Sequence, residues 1–302
     1  MADRTAAMAV QHALSIDVED WFHDSSRGPM PASAAEIARG GHRVAGNLQA
    51  LLDLFARHQV RATLFVLADV ARKNTGLMRA AHAAGHEIAC HGLHHRRLPG
   101  VASAALTDEL RQARHMVEDA AQVAVAGFRA PYFIDATQLP ALDAVAAAGF
   151  RYDASFMPLR WSGRGDPRLS TLPGPVRLPC GLWEIPLPLE RLPTGHVLPL
   201  AAGGFALRGL PYRFFRHYLD RHAAEQGPAV VYLHPWEIDP DSPKLPGTPL
   251  HVRCFNAIGR RHLAGRLDRL LGERRFAPIA KIFADTLAGG PQMGENFESP
   301  QR

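Results

Sequence analysis

Short apolar runs alternate with stretches of helical periodicity along the first half of the chain. The apolar runs predict strands at residues 13–18, 62–67, 87–90 and 127–129. Apolar positions at helical spacing predict helices around residues 44–55, 77–84, 106–117 and 139–146. Gly85 is placed to end the second helix, and Ser103 or Thr107 to cap the third. Strands that alternate with helices favour a parallel sheet with helical crossovers.

The pattern changes after residue 157. Prolines recur through 158–211, which rules out long helices and central strands and favours a loop or β-rich insertion folded over a barrel. Further on, we expect a helix at 211–224, a buried strand at 229–233 and a basic amphipathic helix at 259–271. The chain is therefore interpreted as one domain, 12–287, followed by a polar tail expected to be disordered, 288–302. Within the domain the core takes 13–157 and 212–240, the insertion 158–211 and a C-terminal extension 241–287.

Residues with chemically useful side chains follow the predicted strands. They are Asp17, His91, Arg129 and His234. In barrels of alternating strands and helices the active site is built at the carboxyl ends of the strands. We therefore expect these four side chains to converge from distant parts of the chain.

His91 and His95 lie four residues apart, beside Gly92, which lets the backbone approach closely. Two such histidines and a distant carboxylate can bind a hydrolytic divalent metal and leave one position open for water. The alternative is two ordinary histidines, because a chain with 16 histidines contains such pairs by chance.

Asp17, Glu19 and Asp20 form an acidic cluster at the end of the first strand. Their charges repel one another unless a cation or hydrogen bonds compensate. An exposed acidic turn is the simpler interpretation. A metal shared with the histidines explains better why the cluster adjoins an apolar strand, with one carboxylate as ligand and another as general base.

Arg129 and His234 supply two further groups. Arg129 is a surface charge or, near Asp17, a bidentate partner that orients this carboxylate. His234 follows an apolar strand and suits a general acid near neutral pH. Asp153, in Tyr-Asp-Ala-Ser, is the candidate to orient His234.

Composition narrows the class of protein. The chain has 302 residues, 47% hydrophobic and 21% charged, with 34 Lys plus Arg against 29 Asp plus Glu. The basic residues are not interleaved with aromatics, so nucleic acid is not an expected partner. Three cysteines without a CxxC pair indicate neither a disulfide framework nor a cysteine zinc site, and Cys90 is expected to pack as a small apolar residue. Residues 1–11 do not resemble a signal peptide and no later run could span a bilayer, so we expect a cytoplasmic protein.

Taken in order, these motifs resemble those of the NodB-type polysaccharide deacetylases, over residues 14–283. The motifs are the acidic cluster, His-x-x-x-His at 91–95, Arg-x-Pro-Tyr at 129–132, the Asp153 segment and Leu-His-Pro at 233–235. Three stretches further resemble a branch associated with bacterial exopolysaccharide production in exosortase-type systems: residues 15–22, 203–208 before Pro211, and 234–240.

The resemblance implies an α/β fold, a distorted (β/α)7 barrel. It also implies that the protein hydrolyses N-acetyl or O-acetyl groups on an acetylated oligo- or polysaccharide, with peripheral association with exopolysaccharide machinery as a further expectation. By residue, it implies Asp17 as the catalytic base, His91 and His95 as metal ligands, Arg129 as the residue that orients the base, the backbone N–H of Tyr132 in the oxyanion site and His234 as the general acid. Zinc suits such a ligand set, and cobalt or nickel also fit.

One departure concerns the third metal ligand. The family has two adjacent aspartates, the second a ligand, whereas Val18 occupies that place here. Some relatives use Asp-x-Asp, which makes Glu19 the ligand, because alternate strand residues share a face with Asp17. Asp20 is the rival, and His94 is expected to point away from the metal.

Three alternatives stay open. The protein could hydrolyse a non-sugar amide, as barrel relatives with atypical first motifs do on cyclic amides or ureides. It could be an inactive carbohydrate-binding or scaffolding protein, which only the altered first motif favours. The arginine-rich segment 260–275 could bind a membrane surface.

Four tryptophans are candidates for stacking on a sugar ring: Trp21, Trp161, Trp183 and Trp236. For at least two of them the alternative is packing in the hydrophobic core.

Overall fold

A computed structural model describes residues 10–23, 33–157, 174–192, 197–243 and 257–289, together with Leu250 and Cys254. The strands are β1 (Gln11–Val18), β2 (Thr63–Val66), β3 (Glu87–Cys90), β4 (Gly127–Phe128), β5 (Tyr152–Asp153), β6 (Val176–Arg177), β7 (Trp183–Glu184), β8 (Glu190–Arg191), β9 (Val197–Leu198), β10 (Val230–Leu233) and β11 (Arg275–Ala277).

The α-helices lie mostly between the strands. They are α1 (Ala34–Gly40), α2 (Val44–Arg57), α3 (Ala68–Lys73), α4 (Thr75–Ala83), α5 (Ala104–Ala121), α6 (Leu142–Ala147), α7 (Gly204–Gly209), α8 (Tyr212–Gln226), α9 (Arg260–Glu273), α10 (Ile279–Ile282) and α11 (Ala284–Leu287). Short 3-10 helices cover Trp21–His23, Ala136–Ala141 and Pro235–Ile238.

One curled sheet organises the molecule. Its strand order is β10-β1-β2-β3-β4-β5-β7-β6, and β11 pairs with the beginning of β1. The pairs from β10 to β7 are parallel, whereas β6 is antiparallel to β7. β8 and β9 form a separate antiparallel pair. The predicted α/β class with a distorted barrel is confirmed.

Burial explains why β1 is central. Every residue from His12 to Val18 is buried, as expected for a parallel strand covered on both faces. Helix α2 closes one face with Leu48, Leu51 and Phe55, which belong to the main hydrophobic core. This core fixes β1, and with β1 the acidic residues at its end.

The four strands predicted in the first half are present, β3 with the predicted bounds. Ser103, rather than Thr107, caps α5 by accepting a hydrogen bond from the Leu106 N–H. The segment predicted as one helix at 139–146 is a 3-10 helix containing Pro140, followed by α6. Strand β11 was not predicted, because three residues carry too little pattern.

The predicted insertion is described only in part. Its described portion contains the short strands β6 to β9 and helix α7. Trp161 lies outside the described residues, as do residues 290–302 of the expected tail. Trp21, Trp183 and Trp236 are buried, and Trp183 belongs to a hydrophobic core cluster. Among the described helices, none combines the length and the apolarity needed to cross a bilayer.

Candidate active site

The carboxyl ends of four parallel strands bring the predicted residues to one edge of the sheet. Asp17 and Glu19 lie at the end of β1, and His91, Arg129 and His234 directly follow β3, β4 and β10. The register aligns them: Leu233 pairs with Ile16, and Cys90 pairs with Phe128. His234 therefore occupies the position beside Asp17 on the neighbouring strand, and His91 occupies the position beside Arg129.

Glu19, His91 and His95 form a group that could bind a metal ion. One ligand atom from each lies within 4.8 Å of the others. Glu19 Oε2 is 3.9 Å from His91 Nε2 and also contacts His95 Nε2. His91 Nδ1 donates to the Arg129 carbonyl at 2.9 Å, because a carbonyl can only accept. The lone pair of Nε2 is thereby directed towards Glu19, as in histidines that bind metals.

The electrostatics of this group fit a divalent cation. Burial would raise the pKa of Glu19, yet His95, His234 and His91 hold it well below its usual range, so the carboxylate is ionised. Burial lowers the pKa of His91 to about 4, which keeps the ring in the neutral form that binds metals. Glu19 Oε2 is buried and, among the described residues, accepts no hydrogen bond of good geometry. A cation would satisfy this atom.

The opposite oxygen of Glu19 is held by Trp236. The indole Nε1 donates to Glu19 Oε1 at 3.0 Å. Because Oε1 already has this donor, Oε2 is the oxygen available to a metal. Asp20, the rival ligand, accepts hydrogen bonds from the backbone N–H groups of Trp21 and Arg43 instead. Of the two acidic residues, Glu19 is the one grouped with the histidines.

His94 lies on the other side of its loop. Its Nδ1 is 2.8 Å from Asp69 Oδ2, and both side chains are exposed. The histidine at i+3 is thus directed into solvent, while the histidine at i+4 faces Glu19.

Asp17 is oriented by a fully buried arginine. Arg129 Nη1 donates to Asp17 Oδ1 at 2.7 Å and to Ser15 Oγ at 2.9 Å. Arg129 Nε donates to the Ala154 carbonyl at 2.8 Å. The expected bidentate contact is not formed: Nη1 of Arg129 reaches Asp17, whereas Nη2 has no hydrogen-bond partner among the described residues.

His234 faces both carboxylates through Nε2. The distances are 3.9 Å to Asp17 Oδ2 and 3.7 Å to Glu19 Oε1. Burial would lower the pKa of His234, but the hydrogen bond with Glu237 and the charges of Glu19 and Asp17 raise it to about 9. The ring therefore carries a proton at neutral pH, as a general acid requires.

The prediction that Asp153 orients His234 is wrong. Asp153 Oδ1 accepts from Ser155 Oγ at 2.6 Å, and Oδ2 accepts from the Ser155 N–H. The carboxylate at the His234 ring is Glu237, with Oε2 3.0 Å from Nδ1. β5 and β10 are separated by four strands of the sheet, which places Asp153 near Arg129 instead.

Tyr132 lies at the mouth of the site. Its ring centroid is 4.6 Å from that of His95. Tyr132 and Phe133 have φ values of 66° and 55°, a left-handed conformation that bulky residues rarely adopt. Such backbone strain is concentrated at functional sites.

Sequence patterns missed three residues that adjoin these groups: Glu237, Arg208 and His23. The segments 203–208 and 234–240 were singled out for a resemblance, but it gave no role to Arg208 or Glu237. The ring of His23 lies 5.4 Å from that of His95, and burial lowers the pKa of His23 to about 4. No periodicity signals the contact of Arg208 with Glu237 or that of His23 with His95, because each joins residues distant in sequence.

Comparison with known families divides the chain near residue 153. Residues 31–152 match the family described as polysaccharide deacetylase, and residues 154–284 match a domain of unknown function (DUF3473). The first match contains His91, His95 and Arg129, and the second contains His234. Asp17 and Glu19 precede both. The candidate site is therefore assembled from three parts of the chain.

A chitooligosaccharide deacetylase from Rhizobium leguminosarum bv. trifolii is 33% identical over 125 residues, 41% of this chain and 53% of that protein. An uncharacterized protein, YlxY, from Bacillus subtilis (strain 168) is 25% identical over 120 residues, 40% of this chain and 36% of that protein, so the chain spans about half or less of the length of these two relatives. A crystal structure from Mycobacterium smegmatis, assigned as a polysaccharide deacetylase, has a TM-score of 0.60 at 21% identity, covering 95% of this chain and 94% of the other. Puue allantoinase has a TM-score of 0.61 at 15% identity, covering 95% and 93%. At these identities the two structures support the fold alone.

Proposed function

We propose that this chain, whose residues 31–152 match the polysaccharide deacetylase family, is a metal-dependent deacetylase that removes acetyl groups from sugar residues. The observation that carries the proposal is the arrangement of Glu19, His91 and His95 between Asp17 on one side and His234 on the other. Two histidines and a carboxylate are a ligand set for a catalytic divalent ion. A base and an acid beside it are what hydrolysis of an amide or ester needs.

Glu19, His91 and His95 would hold the cation, which when bound would polarise the acetyl carbonyl and the attacking water. Asp17 accepts the proton of that water, and the hydrogen bond from Arg129 Nη1 keeps the Asp17 carboxylate oriented. The backbone N–H of Tyr132 stabilises the developing oxyanion, a contribution of about 3–4 kcal/mol for one well-placed donor.

His234 completes the reaction as the acid. Water adds its oxygen to the acetyl carbon, the carbon–nitrogen bond breaks, and the departing amine takes a proton from Nε2 of His234. For an O-acetyl substrate the sugar hydroxyl departs in the same way. The raised pKa of His234, about 9, suits this role at neutral pH.

We further propose zinc as the metal, with cobalt or nickel as substitutes. We propose an acetylated exopolysaccharide or its precursor as the substrate. The support for this substrate is the likeness of residues 15–22, 203–208 and 234–240 to one branch of the family.

Acetate release tests the function. Metal-free protein, reloaded with zinc, is incubated with N-acetylglucosamine oligomers, with O-acetylated sugars and with allantoin, and acetate and ring opening are measured. We expect acetate from an acetylated sugar and its loss when a chelator is added. Ring opening without acetate release would support the non-sugar amide hydrolase, and sugar binding without any turnover would support the inactive relative.

Asp17→Asn is the matching variant. It keeps the shape of the side chain but cannot accept the proton of water, so acetate release should fall at least about 100-fold. The exposed Asp53→Asn in helix α2 is the control and should keep the wild-type rate. Both variants should remain folded, with Asp17→Asn less stable than the wild type because the buried Arg129 charge loses its partner. A wild-type rate in Asp17→Asn would remove the role assigned to this residue.

A further inference from the structure

A carboxylate outside the predicted site holds the ring of His234. Glu237 lies three residues after His234, in the 3-10 helix Pro235–Ile238, and is 2% exposed. Glu237 Oε2 accepts the backbone N–H of His234 at 3.0 Å and lies 3.0 Å from Nδ1 of the ring. A single oxygen thus binds both the backbone and the side chain of the same residue, which leaves the ring little freedom to rotate.

Glu237 is in turn held by a buried arginine. Arg208 Nε donates to Glu237 Oε1 at 2.9 Å, and Nη1 donates to the Ile258 carbonyl at 2.7 Å. Arg208 is 2% exposed, so the pair is shielded from water and from salt. A Cβ placed on Gly204 would be 3.4 Å from Glu237 Oε2, so the backbone of α7 packs directly against the carboxylate.

The orientation of the His234 ring follows from these contacts. Because Nδ1 donates its proton to Glu237, Nε2 faces Asp17 and Glu19 and is the atom that can give a proton to a substrate. Trp236 stacks on the ring, with centroids 5.0 Å apart and planes inclined by 23°. The ring is therefore fixed at its edge by Glu237 and on its face by Trp236.

We propose that Glu237, anchored by Arg208, is the positioning residue that holds Nδ1 of His234 and so directs Nε2 for protonation of the leaving group. The proposal rests on the proposed deacetylase function. On this proposal the segments 203–208 and 234–240 act together to orient His234. The first segment contributes Arg208, and the second contributes Glu237 and His234 itself.

The experiment compares two substrates whose leaving groups differ. A sugar amine must be protonated as it departs, whereas 4-nitrophenolate departs from 4-nitrophenyl acetate without a proton. In Glu237→Gln we expect kcat for the N-acetyl sugar to fall at least about 100-fold with KM nearly unchanged, because an amide can turn its NH2 group towards Nδ1 and then no longer holds Nε2 towards the leaving group. Hydrolysis of 4-nitrophenyl acetate should change less than about threefold. Glu225→Gln, in the exposed pair with Arg221, is the control and should behave as wild type.

Two further measurements separate positioning from a structural role. The double variant His234→Ala/Glu237→Gln should be no slower than His234→Ala, because both act through one group. If Glu237→Gln is unstable, Arg208→Gln/Glu237→Gln removes both charges and leaves no unpaired charge buried. In this double variant we expect the same selective loss, a slower reaction with the N-acetyl sugar and a nearly unchanged reaction with 4-nitrophenyl acetate. An equal loss on both substrates, or additive losses in the double variant, would overturn the proposal.

Nitrogen-15 spectra of His234 test the geometry without turnover. In the resting wild-type protein Nδ1 should carry a proton in slow exchange with water, and this signal should be lost in Glu237→Gln. If the wild type shows this Nδ1 signal but releases no acetate, the deacetylase function is rejected, whereas the contact between Glu237 and His234 is retained. Acetate release with an unchanged Nδ1 signal in Glu237→Gln would reject the positioning role alone.

Discussion

Arg129 is the residue on which the orientation of the base depends. Its side chain is fully buried and donates to Asp17, Ser15 and the Ala154 carbonyl, with the face of Phe65 at 4.2 Å. Removing one partner of such a buried pair typically costs about 3–5 kcal/mol, because an uncompensated charge remains. Asp17 is therefore fixed by the scaffold before any substrate arrives.

His12, on the opposite end of β1, should make the fold sensitive to acid. Its ring is fully buried, and Nδ1 accepts the Ala229 N–H at 3.2 Å. Burial, with smaller effects of His222 and Arg274, lowers the pKa of His12 from 6.5 to about 3. The unfolded chain therefore binds this proton more readily, and stability falls as the pH drops from about 6.5 towards 3. Between pH 7 and pH 5 this residue alone should cost about 2 kcal/mol.

Urea unfolding at pH 7 and pH 5 measures this effect. Asn can accept the Ala229 N–H but does not titrate, so His12→Asn should lose about 2 kcal/mol less than the wild type on acidification. The exposed His115→Asn should retain the wild-type difference. An equal loss in His12→Asn and wild type would show that this ring is not responsible.

Among the elements, the turn before α7 positions Arg208 beside β10. Gly203 has φ 103° and ψ −146°, a conformation open essentially to glycine. A Cβ there would be 2.4 Å from the Tyr232 carbonyl oxygen. The adjacent Ala202 carbonyl accepts the Tyr232 N–H at 2.7 Å, so the turn is bound to the strand that ends at His234.

Gly203→Ala should therefore lower the free energy of unfolding by at least about 2 kcal/mol, through strain and the steric clash with Tyr232. The control is Gly46→Ala in helix α2, where nothing lies within 4 Å of the added Cβ. That change should raise stability by up to about 1 kcal/mol, because alanine favours helix. Chemical denaturation measures both, and a Gly203→Ala variant as stable as the wild type would contradict the account of this turn.

Elements with clear periodicity were predictable, and contacts between distant elements were not. Asp17, His91, Arg129 and His234 could be brought together from sequence because each follows an apolar run, and parallel strands share an edge. Asp153 was misassigned because a two-residue strand gives no sign of its place in the sheet. Glu237 and Arg208 were missed because a buried ion pair between residues 29 apart leaves no local pattern.

At the scale of the molecule, the two matched segments do not form separate sheets. β5, at the end of the first segment, pairs with β7 of the second, and β10 of the second pairs with β1, which precedes both. Neither segment alone contains the base, the metal ligands and the acid. The sheet that spans them is what makes one site from three stretches of sequence.

Glu19, His91 and His95 are proposed to bind one divalent cation at that shared edge. Calorimetric titration of zinc into metal-free protein tests this proposal directly, with wild type, Glu19→Gln and the exposed control His94→Gln. We expect one equivalent in the wild type and the control. In Glu19→Gln we expect affinity at least about 100-fold weaker, since loss of a direct ligand should exceed the effect of losing an outer partner. Unchanged zinc affinity in Glu19→Gln, or no binding by the wild type, would contradict the account.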